Sequence, residues 1–410
     1  MALNYVWIAF FLVSFVVALI KLIFFQDYEI FHTIVNSTFD MSKTAAELSL
    51  SLVGIMTFWL GIMKIGEKGG MINIFAKAVG PFFSKIFPEI PKNHPALGSV
   101  LMNFSANMLG LDNAATPMGL KAMKELQELN PNKDTASNAQ IMFLVLNASS
   151  LVLIPTSIMA FRKAAGAANP SDIFVPCLLA TFFSTLVGLI VTAIYQKINL
   201  LQKVILLYLG SAMIGICGIL YYFSTISQEK IELISNVFGN TLLFTIIVSF
   251  IVLALIKKVN VFETFIDGAK EGFDVAIKII PYLVGLLVAI GVLRGSGVLD
   301  YLVQGIGHLV AILGLDTRFV PALPVAFMKP LSGGGARGLM VELMKTNGPD
   351  NFASRVACVI QGSTETTFYV LAVYFGAVSI KKTRHALPAA LLAELAGVIA
   401  AIIIAYIFFG

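Results

Sequence analysis

The chain has 410 residues, of which 58% are apolar and 12% charged, with a formal net charge of +5. A soluble domain carries about a quarter charged residues, and a soluble fold of this length could not hide so much apolar surface. Composition therefore argues against a soluble enzyme, a disordered tail or a nucleic-acid surface, and for an integral membrane protein whose small basic excess sets orientation.

A membrane helix needs about 20 mostly apolar residues. The first such run extends from Tyr5 to Phe25. It lacks a basic start and a small-residue cleavage site, so it reads as a retained helix rather than a signal peptide. Further spans are expected near 47–64, 138–161, 173–195, 203–223, 238–256, 277–294, 354–378 and 386–409. These long continuous runs, about nine crossings in all, indicate helices rather than a β-barrel.

Two regions, 70–137 and 295–353, are broken by Gly, Pro, Asn and charged residues. The first holds Pro81, Pro88, Pro91 and Pro95, then NFSANMLGLDNAATPMG from Asn103 to Gly119. The second holds Pro321, Pro324 and Pro330, then KPLSGGGARG from Lys329 to Gly338. Irregular backbone at membrane depth persists only where protein or a polar cavity satisfies it. Both regions are read as re-entrant or interfacial, the kind of segment that marks a transport site.

The halves resemble each other. Asn147–Ser150 and Gln361–Thr364 occupy matching places, each followed by a polar stop and one long apolar helix. Asp112–Gly119 matches Leu331–Gly338. The expected organisation is a first repeat over 1–200, a linker helix at 201–230 and a second repeat over 231–410. An odd number of spans separates the repeats, which inverts the second relative to the first. The expected fold is an all-α polytopic membrane protein with two inverted repeats joined by an extra helix. More basic residues fall on the N-terminal side of the spans, among them Lys197, Lys257, Lys258, Lys381 and Lys382. That bias predicts a cytoplasmic N-terminus and an extracytoplasmic C-terminus.

Polar groups inside spans are functional candidates. The densest run is Gln361, Ser363, Thr364, Glu365 and Thr366, beside Gly362, where a helix can open. Asn147, Ser149 and Ser150 are its repeat partners, with Leu151 in the place of Glu365, so the two half-sites differ chemically. One turn on, Pro155 lacks an N–H and so frees a backbone carbonyl. Asp112 and Asn113 read as caps of a helix with Pro117 near its start, or as its N-terminus facing a polar group. Asn103 and Asn107 share a helix face. Ser332 with Gly333, Gly334 and Gly335 permits positive φ at a hinge or hairpin tip, flanked by Lys329 and Arg337. The separated cysteines Cys177, Cys217 and Cys358 read as small hydrophobes, without metal or disulfide spacing. No nucleotide, zinc or serine-hydrolase motif is present.

NFSANMLGLDNAATPMGLKAM (Asn103–Met123) resembles the signature of spore maturation protein A. GSTETTFY (Gly362–Tyr369), with the preceding KPLSGGGARG, resembles that of spore maturation protein B. The chain thus resembles a fusion of the two over nearly its whole length. The resemblance implies a nucleoside-recognition (Gate) domain, shared with concentrative nucleoside transporters and the membrane part of ferrous-iron transporters, and a multi-pass protein of the bacterial inner membrane.

Together these features lead us to expect a secondary transporter of a small polar, nucleoside-like solute, working by alternating access with Na+ or H+ as coupling ion and no other cofactor. Its expected partners are the lipid bilayer, the solute and other copies of the chain, with no nucleic acid. A non-transporting scaffold in the envelope or in spore maturation is the alternative. A membrane enzyme on lipid or wall precursors fits less well, for want of a suitable titratable pair.

Overall fold

The computed structural model describes residues 2–91, 94–110, 112–226 and 228–410. Among them the chain forms α-helices and no strand. In order these are α1 (Ala2–Phe24), α2 (Ile30–Gly69), α3 (Met71–Ile86), α4 (Pro95–Met108), α5 (Asp112–Leu129), α6 (Asn138–Ser149), α7 (Thr156–Ala164) and α8 (Phe174–Gln196). Then come α9 (Lys203–Thr225), α10 (Gln228–Ile256), α11 (Val261–Gly295), α12 (Val298–Ile312), α13 (Leu323–Met328), α14 (Gly333–Asn347), α15 (Phe352–Ser363), α16 (Thr367–Ala377) and α17 (Ala386–Phe409).

Seven helices among the described residues are long and apolar enough to cross a membrane, or eight counting one bent pair. The chain is an all-α, multi-pass membrane protein. Three of the expected spans have a different form. The run at 138–161 is not one helix but α6 and α7, separated by six residues. The run at 277–294 lies inside α11, whose end bends by 69° into α12. The span expected at 354–378 is interrupted between α15 and α16. Hydropathy averaged over a window cannot register a break of a few residues flanked by apolar helix on both sides. The broken regions, in turn, are mostly helical: the first holds α3–α5 and the second α12–α14.

Local chemistry explains the helix starts. Gly70, at φ 84°, and Gly297, at φ 83°, end α2 and α11 in the left-handed region that a Cβ disfavours. His94 caps α4 ahead of Pro95 at its first position. Ser137 and Gln140 form a reciprocal capping box on α6. The Ser332 hydroxyl accepts from the Gly335 N–H at the start of α14.

Two series therefore correspond element by element. Each begins with a long helix ended by a left-handed glycine (α2, α11), continues through three further helices (α3–α5, α12–α14) and a broken helix (α6–α7, α15–α16), and closes with a spanning helix (α8, α17). LeuLeuAla at 178–180 in α8 recurs at 391–393 in α17.

The chain folds as two compact units. One comprises 1–61, 157–170 and 267–361; the other comprises 62–156, 171–266 and 362–410. The core of the second gathers Phe83, Phe87, Phe104, Phe143 and Leu146 with Val370, Tyr374 and Phe375. In this unit α8 and α17 pack antiparallel. Gly397 meets Ser184, while Gly188 meets Ala393, and the Ser184 hydroxyl donates to the Ala393 carbonyl at 2.9 Å. Ser184 and Gly397 are equivalent under the LeuLeuAla register, so the two helices cross at matching positions and run in opposite senses. In the first unit α14 lies close on α11, where Gly338 faces Leu286 and Ile290.

Candidate functional site

Both breaks arise where backbone groups exchange helical partners for tertiary ones. After α6, Ser150 takes φ 37°, and the chain is not helical again until α7 begins at Thr156, whose N–H bonds back to Ile154 O at 2.8 Å. Pro155 is thus the residue before a new helix rather than a kink in a continuous one. Inside this stretch the Leu153 N–H donates to Met108 O at 2.7 Å, satisfying the last turn of α4. The second break comprises Thr364, Glu365 and Thr366, with Gly362 still in the last turn of α15. The Glu365 N–H donates to Ala148 O, near the end of α6, at 2.8 Å. In a continuous helix it would have gone to Gln361 O. That carbonyl instead accepts from Lys329 Nζ at 2.9 Å. Buried backbone groups are expensive to leave unpaired, and these long-range bonds hold both helices open.

A polar cluster in the second unit adjoins the breaks. Asn147 Oδ1 accepts from Asn107 Nδ2 at 2.8 Å and from the Tyr374 hydroxyl at 3.4 Å, while its Nδ2 donates to Phe143 O. Asn103, fully buried, donates to Ala115 O at 2.8 Å and lies 3.5 Å from the Tyr374 hydroxyl. Gly119 is the close-approach point: a Cβ there would come within 2.5 Å of that hydroxyl. Ser149 Oγ donates to Leu146 O. Thr364 and Thr366 are buried and Glu365 is half-buried. The Thr364 hydroxyl and Asn103 Oδ1 are buried with no hydrogen-bond partner in the structure. Amide groups, hydroxyls and one carboxylate are a set that can bind the heteroatoms of an uncharged polar solute. The side chains of Asp112 and Asn113 lie outside the described residues. Pro117 lies inside α5 rather than at its first turn.

The other sequence candidates fall in the first unit. Lys329, almost fully buried, is held on Gln361 O, and Gln361 Nε2 reaches Gly333 O at 3.4 Å. Ser332 is committed to capping. Gly333, Gly334 and Gly335 form the first turn of α14 without positive φ. Gly335 faces Met328 closely there, so what these residues provide is helix packing without a Cβ. Arg337 stacks its guanidinium over the Phe161 ring, 5.4 Å from the centroid. This unit also holds a cavity of about 180 Å³ lined by Arg294, Asp300, Glu342 and Asn347, with Arg294 Nε 2.7 Å from Glu342. A larger cleft in the second unit, about 660 Å³, is lined by α3, α4 and the ends of α2 and α10, and by none of the break residues.

Comparison with known proteins gives the family. A family model described as Gate, nucleoside recognition, matches residues 49–167 and 276–381, more than half of the chain. The chain belongs to the Gate family. The two Gate stretches fall one in each series of helices, and each ends just past a broken helix. Spore maturation protein A of Bacillus subtilis (strain 168) is 39% identical over 188 residues, covering 46% of this chain and 92% of that protein. Spore maturation protein B of the same organism is 48% identical over 165 residues, covering 40% of this chain and 91% of that protein. The expected resemblance to both, fused in one chain, holds.

Three residues around these Gate segments escaped the sequence reading. Tyr374 links Asn103 to Asn147, yet looks like any aromatic in an apolar run. Arg162, fully buried, donates to Pro349 O and Asn169 O and pairs with Asp350 at 2.9 Å, although from sequence it is a charge in a polar stop. Glu394 sits within α17, 3% exposed, accepting from the Thr367 hydroxyl at 2.7 Å. The signal was present: a single carboxylate inside a 24-residue apolar helix.

Proposed function

We propose that this protein is a secondary transporter of a small polar, nucleoside-like solute, working by alternating access in the bacterial inner membrane with its N-terminus in the cytoplasm. The reading rests on the bond from the Glu365 N–H to Ala148 O, which ties the break of one repeat to the break of the other, beside a buried amide cluster. Paired discontinuous helices in repeated elements are a recurring architecture of ion-coupled carriers. The Gate description, nucleoside recognition, and the antiparallel crossing of α8 and α17 support the same reading. In this proposal Asn103, Asn107 and Asn147 supply amide contacts, and Glu365 accepts from the solute or binds the coupling Na+ or H+. The protein needs no prosthetic group and catalyses no covalent step.

The test is uptake of a panel of labelled nucleosides and bases into proteoliposomes under an imposed pH or Na+ gradient. Wild type should accumulate at least one, Asn147→Leu should lower its apparent affinity, and Glu365→Gln should abolish accumulation or flatten its pH dependence. A folded wild-type protein that moves no member of the panel under either gradient refutes the nucleoside-like reading.

A further inference from the structure

We propose that Glu394 is a proton-binding site that governs the second break. Only the link from this proton to solute movement rests on the transport reading above. Glu394 is the one acidic or basic side chain of α17, and it lies outside both Gate stretches. Removing an ion from water costs several kcal/mol even after relaxation. The fold does not require that cost: the register that aligns LeuLeuAlaGlu (391–394) with LeuLeuAlaThr (178–181) puts Thr181 at the same place in α8. Thr181 is buried without charge, its hydroxyl returned to Leu178 O. One member of the helix pair therefore carries a carboxylate where the other carries a hydroxyl.

The surroundings tie this carboxylate to the break. Thr367, whose hydroxyl donates to Glu394 Oε2, is the first residue of α16. The N-cap of that helix, Thr366, makes no side-chain capping bond. The carboxylate thus lies at a helix start, where free N–H groups and the positive end of the helix dipole favour an anion. One turn along α17, Gly397 receives Thr364: a Cβ there would come within 2.8 Å of Thr364 Cγ2 and 3.1 Å of Ser184 Cβ. Packing this close suits a proton and leaves little room for a metal ion with its oxygen shell.

Other titratable groups are few on the elements packed against this part of α17. Described side chains near it include Ser184 of α8, with Thr364 and Thr367; α6 carries no ionisable residue, α8 carries Cys177 and Tyr195, and α16 carries Tyr369 and Tyr374. Glu365 is in the break itself. α10 has no ionisable residue from Leu233 to Ile256. α9 meets α17 at its far end, through Phe223 on Phe408.

A bond to an ionised acceptor is about twice as strong as a neutral one. The Glu394 anion therefore anchors Thr367 and the first turn of α16 against α17. A proton taken from solvent onto the carboxylate removes the charge-assisted part of that bond and the favourable helix-end interaction, and the 364–367 segment loosens.

The experiment uses the full chain in liposomes with protons as the only ligand. Infrared difference spectra across a pH titration should show a protonated-carboxyl C=O band that Glu394→Gln removes and Glu365→Gln keeps. Amide hydrogen exchange at 364–368, corrected for its intrinsic pH dependence, should quicken on acidification in wild type and be fast at every pH in Glu394→Gln. Thr367→Val keeps the carboxylate but removes its donor, so its band should titrate at higher pH; this variant carries the test if Glu394→Gln does not fold. A band that survives Glu394→Gln, a break whose exchange keeps its pH response in that variant, or an unshifted titration in Thr367→Val overturns the proposal. Neither measurement involves a solute, so a protein that transports nothing can still show the proton site. Loss of the site leaves solute uptake standing with another coupling group.

Discussion

Gly397→Ala tests the crossing of α8 and α17 with the smallest possible perturbation. In an unconstrained helix, Gly to Ala stabilises by about 0.8–1.0 kcal/mol. At Gly397 the new methyl group would sit 2.8 Å from Thr364 Cγ2 and 3.1 Å from Ser184 Cβ. Separations of about 3.5–4.0 Å are optimal between carbon atoms, so both neighbours must give way by several tenths of an ångström. Overpacking of this kind costs about 1–3 kcal/mol. The packing cost exceeds the propensity gain at its upper and middle values, and the net expectation is about 1 kcal/mol of destabilisation. Gly215, in the middle of α9 with nothing within 4 Å of an added Cβ, supplies the control and should gain the propensity term alone. Both variants and wild type are compared by chemical or thermal unfolding in one detergent, followed by helical circular dichroism. The expected order is Gly215→Ala above wild type above Gly397→Ala. If Gly397→Ala matches Gly215→Ala, the two spanning helices do not cross where Ser184 and Gly397 meet, and the antiparallel packing of α8 on α17 falls with it.

Asn147→Ala strands the Asn107 amide, a cost of about 1–3 kcal/mol, and a double-mutant cycle with Asn107→Ala should return a coupling of the same order. Additive effects would mean that the 2.8 Å bond contributes nothing. Arg162→Met removes the guanidinium from Asp350, which keeps the Ala168 N–H at 2.9 Å, and from the Pro349 and Asn169 carbonyls; because Asp350 is 35% exposed, the loss should fall near or below the low end of the range for a broken buried pair, about 3 kcal/mol, seen as a lower unfolding midpoint. His385, ahead of α17, has its pKa held below the ordinary value of 6.5, first by burial and then by the neighbouring Arg384 charge. Its ring lies 3.3 Å from Gln196 Nε2, which also donates to Asn138 O. The neutral ring is the form the fold prefers, so the unfolded chain binds the proton more readily and stability falls as pH drops below about 6.5. His385→Gln should flatten stability across that window, and an unchanged slope would show that the ring is not responsible.

The sequence by itself determined the helical membrane architecture, because an apolar run long enough to span hydrocarbon leaves the backbone no other way to satisfy itself. It also singled out the polar residues at both breaks, with Gly362 as a place where a helix can open, but it read 138–161 and 354–378 as continuous spans and put the broken regions at 70–137 and 295–353. Asn147–Pro155 and Gln361–Thr366 interrupt apolar runs with polar groups, Gly and Pro, and those effects are local. What holds the breaks open was decided only in three dimensions. Lys329 on Gln361 O, Glu365 N–H on Ala148 O and Leu153 N–H on Met108 O join residues far apart in sequence, and no spacing rule links them. The Gly-rich turn before Ala336 shows the same limit: its composition permits positive φ, yet the Ser332 cap and the approach of Met328 draw it into a right-handed helix. Glu394 marks the boundary between the two kinds of knowledge. Its presence in an apolar helix is written in the sequence, but its place at the mouth of a half-helix follows from the packing of α17 on α16, a contact that only the folded chain can make.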